Sequence, residues 1–161
     1  MNVVILSGGV GGARFVRGIV EVSGEAATTV IGNVGDDVEV LGLHVSPDLD
    51  SILYALAGLA DEQRGWGRSE ETWNALETVR ALGGENWFAL GDRDLGLHLV
   101  RKQALAAGEP LSAVTARLAE ALGVGDAGAA KLVDDPGGVV GHRIGDFAGE
   151  KKGRGTLQMA P

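Results

Sequence analysis

The sequence contains no cysteine, so it can form neither a disulfide framework nor a cysteine-ligated zinc site, and it offers no thiol nucleophile. It also lacks a basic surplus, because 22 acidic residues stand against 14 basic ones; a net charge of −8 disfavours general binding to nucleic acid. No apolar run approaches the ~20 residues of a membrane span. We therefore expect a soluble, cytoplasmic protein that binds neither nucleic acid nor membrane.

The chain opens with the pattern of a βαβ unit. An apolar, β-branched run at residues 2–6 ends at a glycine loop, apolar residues at helical spacing follow over 13–22, and a second strand is predicted at 28–31. This order predicts two parallel strands joined by a right-handed crossover helix. The opening of the chain is therefore α/β.

The middle of the chain is predicted to be helical after a third short strand within residues 38–43. Ser46 and Pro47 open a helix, as its N-cap and its first residue. Further helices are expected to begin near residue 69, to run from 91 to about 107, and to run from 110 to 122.

A glycine-rich loop, SGGVGG at residues 7–12, lies between the first strand and the first helix. Main-chain N–H groups and the helix dipole favour an anion at such a place. No lysine follows, as a P-loop requires; Arg14 replaces the third glycine of a dinucleotide fingerprint, and Asn33 replaces its acidic residue. The loop predicts nucleotide or phosphate binding, and the alternative is a tight turn without a ligand.

Close pairs of carboxylates follow the predicted turns. The pairs are Asp36 and Asp37, Asp48 and Asp50, and Asp92 and Asp94. Carboxylates near a phosphate repel one another unless they share a cation, and Mg²⁺ held by one or two carboxylates and by phosphate oxygens is the usual arrangement. The alternative for a pair at a helix start is that it offsets the helix dipole. That alternative is weaker for the first pair, which lies in a predicted sheet-end loop.

Trp66 and the histidines leave alternatives open. Trp66 lies between glycines in a loop, where its ring could cover a flat ligand or anchor the loop beneath the domain. His44, His98 and His142 have no ligand-like spacing. Since His98 follows Asp94 by four residues, we expect these two side chains to form a surface pair on one helix face.

Five segments share their order and spacing with one family. They are residues 6–15 (LSGGVGGARF), 33–37 (NVGDD), 46–50 (SPDLD), 64–67 (RGWG) and 90–95 (LGDRDL). In these segments, and over residues 1 to about 123, the chain resembles the 2-phospho-L-lactate transferase family, with GGARF closest to its bacterial, phosphoenolpyruvate-using branch. The first two segments are also similar to a family of sugar-nucleotide-binding regulators, whereas SPDLD and LGDRD point to the transferase.

The resemblance implies a Rossmann-like parallel sheet, partial in this chain, with an inserted helical region, and usually a homodimer. The family transfers a phospholactyl or phosphoenolpyruvyl group from a guanosine-diphosphate-activated donor to the deazaflavin Fo. The reaction releases GMP, requires Mg²⁺ and belongs to the biosynthesis of coenzyme F420.

The resemblance also implies the site, position by position. Catalytic roles fall to Asp48 and Asp50, with Asp50 the first choice for contact with the hydroxyl of Fo. The metal would be held by Asp36, Asp37 and Asp48. Substrate-binding roles fall to Gly8, Gly9, Gly11, Gly12, Asn33, Ser46, Asp50, Trp66, Asp92 and Arg93.

Residues 125–161 depart from the family pattern, which continues with a strand and a Pro-x-x-Asp-Asp segment; here only Asp134 and Asp135 resemble it. We place the N-terminal part of the transferase domain at 1–124 and a divergent, poorly ordered tail at 125–161. The expectation is a truncated or frame-disrupted relative, or one whose remaining half comes from a second chain. The alternative function is a non-catalytic module that binds nucleotide or Fo, or a sugar-nucleotide-binding regulator.

Overall fold

The computed structural model describes residues 2–23, 28–124 and 131–133, and in them the chain is α/β as predicted. In chain order the elements are β1 (Val3–Ser7), α1 (Gly9–Ser23), β2 (Thr28–Gly32), β3 (Val38–Val40), β4 (Leu43–Val45), α2 (Pro47–Leu56), α3 (Asn74–Ala81), α4 (Asp92–Ala106), α5 (Leu111–Ala121) and β5 (Lys131–Val133). Within these ranges, no helix has the length and apolar character needed to cross a membrane.

The main sheet has three parallel strands in the order β1-β2-β5. β1 and β2 pair in unbroken register from Val3 and Thr28 to Ser7 and Gly32, which confirms the predicted βαβ unit. β5 pairs with the other side of β2, so a strand lies within the stretch expected to be a divergent tail. The other residues of 125–161 lie outside the described residues, and the domain boundary at 124 stays a prediction.

Helix α2 lies between the two largest apolar clusters of the core. On one side Leu49 and Ile52 pack with the sheet residues Ile5 and Val30 and with α1. On the other side Leu53 and Tyr54 pack with apolar residues of α4 and α5. Because both sides of α2 are buried, its first turn, which carries Asp48 and Asp50, is held firmly in place.

Three elements differ from the predictions. The strand expected within 38–43 is an antiparallel hairpin of β3 and β4, because Leu41 and Gly42 both adopt positive φ, as the tight two-residue turn between twisted strands requires. α1 begins at Gly9 rather than 13, so most of the predicted glycine loop is helical. α3 begins at Asn74 rather than 69, because hydrogen bonds to Asp92 fix its first turn.

The packing of α2 on β2 predicts opposite effects for two glycine substitutions. A Cβ at Gly32, the last residue of β2, would overlap the buried side chain of Leu49, so Gly32→Ala should lower the free energy of unfolding by about 1–3 kcal/mol. Gly96, inside α4, faces open space, and Gly96→Ala should raise the free energy of unfolding by about 0.5–1 kcal/mol. Urea unfolding measures both, and a neutral or stabilising Gly32→Ala would contradict this packing.

Candidate functional site

The carboxyl ends of β1 and β2 meet the amino ends of α1 and α2. Asn33, which follows β2, donates its main-chain N–H to the carbonyl of Ser7 at the end of β1 (2.9 Å). Gly9 begins α1 at the same edge, and Asp48 lies in the first turn of α2. This is the edge where open α/β sheets bind ligands.

We call the first group at this edge the Asp48 cluster: Gly9, Asn33, Asp36 and Asp48. The Oδ1 atom of Asp48 accepts the main-chain N–H of Gly9 (2.7 Å), and its Oδ2 atom accepts the side-chain amide of Asn33 (2.8 Å). The same amide donates to Oδ2 of Asp36 at 3.1 Å. Asp48 is only 8% exposed, so its charge is stabilised mainly by these donors. Residues predicted from three separate motifs therefore lie together.

Most of the glycines predicted to bind phosphate have a role inside the chain. A Cβ on Gly8 would stand 2.8 Å from Oδ2 of Asp48, and one on Gly12 would stand 2.6 Å from the hydroxyl of Ser7. Gly9 has a φ of 68°, which other residues rarely adopt. Gly11 alone among the four has open space and a negative φ. Their role in binding phosphate stays a prediction, since the fold itself requires three of these glycines.

A second group, the Asp37 cluster, consists of Asp37, His44 and Ser46. Oδ2 of Asp37 accepts the hydroxyl of Ser46 (2.8 Å) and lies 2.9 Å from Nε2 of His44. The prediction that Ser46 caps α2 is right about its position but wrong about its side chain, because the hydroxyl is engaged by Asp37 instead of the helix. Burial raises the pKa of the Asp37 carboxyl, and the hydrogen bonds from Ser46 and His44 offset this only in part.

The predicted metal ligands are divided between these two clusters. Asp36 and Asp48 belong to one and Asp37 to the other, and in the described part of the chain no three His, Asp or Glu side chains are grouped so that they could hold a metal ion alone. Oδ1 of Asp37 is buried and has no hydrogen-bond partner among the described residues. A cation is one of the few groups that can satisfy such an oxygen.

Asp50 lies in a third group, the buried network of Asp50, Tyr54, Asp94, His98 and Arg101. Arg101, which is fully buried, binds both carboxylate oxygens of Asp50, with its Nη1 atom 3.0 Å from Oδ2. Nη1 also lies 3.2 Å from Nδ1 of His98. Because a guanidinium only donates, Nδ1 of His98 accepts, and its proton is carried on Nε2. The role of Asp50 at a substrate hydroxyl stays a prediction; in the structure it anchors α4.

The far end of the buried network is Asp94. It accepts the hydroxyl of Tyr54 and lies 3.4 Å from Nε2 of His98, an electrostatic contact rather than a well-aligned hydrogen bond. Burial alone would raise the pKa of Asp94, but His98 and Tyr54 outweigh it and the pKa is lowered. The prediction that Asp94 and His98 form a pair at the surface is therefore wrong about location, because His98 is fully buried. The face of α4 that carries His98 packs toward α2.

Sequence reasoning missed Arg101, Tyr54 and the burial of His98. One signal was present, since Asp94, His98 and Arg101 are spaced by four and three residues and share one face of α4 with the buried Leu97. Charged residues on an apolar helix face indicate a buried polar network when partners are available.

Asp92 and Arg93 take structural positions at the start of α4. The carboxylate of Asp92 accepts hydrogen bonds from the hydroxyl of Thr72, from the main chain and side chain of Asn74, and from the main chain of Ala75. Asp92 thereby caps the start of α3. These bonds, with that of Thr72 the largest contribution, lower the pKa of Asp92. Arg93 forms an exposed ion pair. Among the described residues neither side chain contacts the Asp48 cluster, and their substrate-binding role stays a prediction.

A groove of about 470 Å³ runs from the start of α1 to Trp66. Its lining includes Val10, which follows Gly9, and Ser51, one helical turn after Asp48. Trp66 is 37% exposed, and the guanidinium of Arg64 lies 4.9 Å from the centre of its ring. Arg64 therefore partly anchors the ring, which also lines the groove; its role in covering a flat ligand stays a prediction.

The buried network predicts a large difference between two arginine substitutions. Arg101→Met should lower the free energy of unfolding by about 3–5 kcal/mol, because it leaves the Asp50 carboxylate buried without its partner. Arg117 forms an exposed ion pair with Glu109, and Arg117→Met should change the free energy of unfolding by less than about 0.5 kcal/mol. Urea unfolding measures both.

A second substitution, at Asp50, distinguishes the cost of the unpaired buried charge from the cost of the packing that Arg101→Met removes. Adding Asp50→Leu to Arg101→Met removes the unpaired charge and should recover part of the lost stability. If Arg101→Met costs no more than Arg117→Met, the buried ion pair is not a structural anchor.

The comparisons with known proteins concern this same part of the chain. The family model for 2-phospho-L-lactate transferase CofD matches residues 3–127. The phosphoenolpyruvate transferase of Streptomyces griseus is 53% identical over 119 residues, which cover 73% of this chain and 37% of that protein. Those of Thermobifida fusca and Mycobacterium tuberculosis are 49% and 45% identical, each over 74% of this chain and 40% of its own length. The chain therefore spans about two fifths of the length of these curated relatives.

Proposed function

Because the chain belongs to the 2-phospho-L-lactate transferase CofD family, we propose that it serves the transfer of a three-carbon phosphoacid group to the deazaflavin Fo in coenzyme F420 biosynthesis. The group is phosphoenolpyruvyl or phospholactyl, it comes from a guanosine-diphosphate-activated donor, and GMP is released. The names of the relatives favour phosphoenolpyruvyl. The observation that carries the proposal is the Asp48 cluster, in which three family-like segments meet at one sheet edge.

The diphosphate of the donor is assigned to the start of α1. The N–H of Gly9 is taken by Asp48, but the next main-chain N–H groups of the first turn have no partner within the helix. They carry the positive end of the helix dipole, and the open space at Gly11 lets a phosphate approach them. Asp48 lies beside this position, so the negative charges need a cation between them.

The residues present fit Mg²⁺. The buried Oδ1 of Asp37 has no hydrogen-bond partner among the described residues, and Asp36 is exposed at the same loop. One or two carboxylates, with phosphate oxygens and water, are the ligands that Mg²⁺ ordinarily takes. We assign it to Asp37 with Asp36 or Asp48, where a bound ion would neutralise charge on the diphosphate as GMP leaves.

The acceptor is assigned to the groove that ends at Trp66. A flat deazaflavin ring suits the partly exposed ring of Trp66, and the lining of the groove includes Val10, next to Gly9, and Ser51 of α2. Asp50 would orient the ribityl hydroxyl through lone pairs that Arg101 leaves free, since a carboxylate has about four acceptor positions. Arg101 fixes the orientation of that carboxylate.

The reaction is tested by incubating the chain with Fo, Mg²⁺ and the guanosine-activated phosphoenolpyruvyl donor. We expect GMP and a phosphorylated deazaflavin, separated by liquid chromatography. Trp66→Ala should weaken Fo binding roughly tenfold, because ring stacking is lost, while Trp87→Ala, at an exposed position outside the groove, should not. Fo binding without GMP release would leave only a binding module, and preference for a UDP-sugar would favour the regulator.

The assignment of Mg²⁺ is tested by thermal unfolding with Mg²⁺ and GMP. Wild-type protein should melt at a higher temperature when both are added, because the ion binds only the folded arrangement. Asp37→Asn should remove this shift, since it replaces the unpaired charged oxygen by a neutral group. Glu39→Gln, an exposed neighbour on β3, is the matched control and should keep the shift. A full Mg²⁺ response in Asp37→Asn would remove Asp37 from the site.

A further inference from the structure

The groove that ends at Trp66 contains one charged side chain without a partner. The charged side chains that line it are Arg14, Arg17, Glu21, Asp61 and Glu62. All three carboxylates form ion pairs, two of them with Arg17 and the third with Arg64. Arg14 alone in this lining has no hydrogen bond or ion pair with any described residue. The groove therefore offers one free positive charge.

Arg14 belongs to the face of α1 that forms one wall of the groove. It follows Val10 by four residues, about one helical turn, and both residues line the groove. A Cβ on Gly65, the residue before Trp66, would lie 3.8 Å from the Nη2 atom of Arg14. The side chain therefore reaches from α1 to the loop that carries Trp66.

Packing does not explain an arginine at this position. In a dinucleotide fingerprint the same position is a glycine that allows close packing between helix and strand. Here Ala13 packs in the core with Ile5, and Arg14 is exposed. Such an arginine is either a solvated surface charge or a site for an anion. The anion is favoured because acidic residues outnumber basic ones by 22 to 14, yet every carboxylate in the groove is paired elsewhere.

The chemistry of the guanidinium and its distance from the start of α1 indicate which anion it binds. A guanidinium donates two parallel N–H groups, which match a carboxylate. Arg14 follows Gly9 by five residues, or about 7.5 Å along the helix axis. A ligand whose phosphate lies at the start of α1 can therefore bring a second anionic group to Arg14. In the transfer proposed above, the three-carbon acid has such a group, its carboxylate, and stays bonded to the phosphoryl group that is transferred.

We propose that Arg14 forms the subsite for the carboxylate of the three-carbon phosphoacid, with its guanidinium binding both carboxylate oxygens. This subsite rests on the proposed function, because it completes the assignment of the donor. Since the carboxylate is present in donor and product alike, Arg14 contributes binding and selectivity rather than stabilisation of the transition state alone. In turnover, Arg14→Gln should raise KM for the donor about tenfold and change kcat by less than about twofold.

Two matched ligands test the subsite without turnover. 2-Phospho-L-lactate carries the carboxylate, and isopropyl phosphate has a methyl group in its place. Isothermal titration calorimetry of the full chain, with Mg²⁺ present and the ionic strength fixed, gives the affinity for each ligand. The wild-type chain should bind 2-phospho-L-lactate about tenfold more tightly, because only this ligand forms the charged hydrogen bonds with Arg14.

Three variants assign the preference to the guanidinium. Arg14→Gln should bind the two ligands with equal affinity, and Arg14→Lys should keep part of the preference, because it retains the charge and loses the paired N–H groups. Arg117→Gln, at an exposed position outside the groove, makes the same change in net charge and should keep the full preference. Each variant should melt at the wild-type temperature, since Arg14 is exposed and has no polar partner among the described residues.

Three results would overturn the subsite: no binding of 2-phospho-L-lactate by the wild-type chain, equal wild-type affinities for the two ligands, or a full preference in Arg14→Gln. Equal affinities together with GMP release from the guanosine-activated donor would remove the subsite and keep the transfer reaction. A preference that depends on Arg14 in a chain that releases no GMP would keep the carboxylate subsite and remove the transfer reaction.

Discussion

The carboxylate of Asp48 joins three segments that are far apart in the sequence. It lies in α2, it accepts the first N–H of α1 at Gly9, and it accepts the amide of Asn33 at the end of β2. Hydrogen bonds to a buried charged group contribute about 1.5–3 kcal/mol each, so these two contacts largely fix the sheet edge. They also explain Gly8, which leaves the space that the carboxylate needs.

Two carboxylates two residues apart, Asp48 and Asp50, link α2 to both of its neighbours. Side chains two residues apart on a helix point to nearly opposite sides, about 200° apart. Asp48 therefore contacts the sheet edge, while Asp50 binds Arg101 and ties α2 to α4. The first turn of α2 therefore joins the sheet edge on one side to α4 on the other, and both sides of the helix are buried in the core.

The sequence predicts the parts of this arrangement that follow from local patterns. Strand ends in a βαβ unit share one edge, so the approach of the glycine segment, Asn33 and Asp36 could be predicted, as could the start of α2 at Pro47. The pairing of Asp50 with Arg101 could not, because it depends on how α4 packs against α2 across 51 residues of sequence. Charged side chains such as Asp94 are ordinarily exposed, so the spacing of Asp94 and His98 predicts a surface pair rather than a buried one.

A double-mutant cycle between Asn33 and Asp48, measured by urea unfolding, tests most directly whether the Asp48 carboxylate holds the sheet edge together. The cycle compares Asn33→Ala, Asp48→Ala and the double variant with the wild-type chain. We predict a coupling of at least about 1 kcal/mol between the two residues, since each single change removes the same charged hydrogen bond. Effects that add to within about 0.3 kcal/mol would contradict it, because the two residues would then contribute independently.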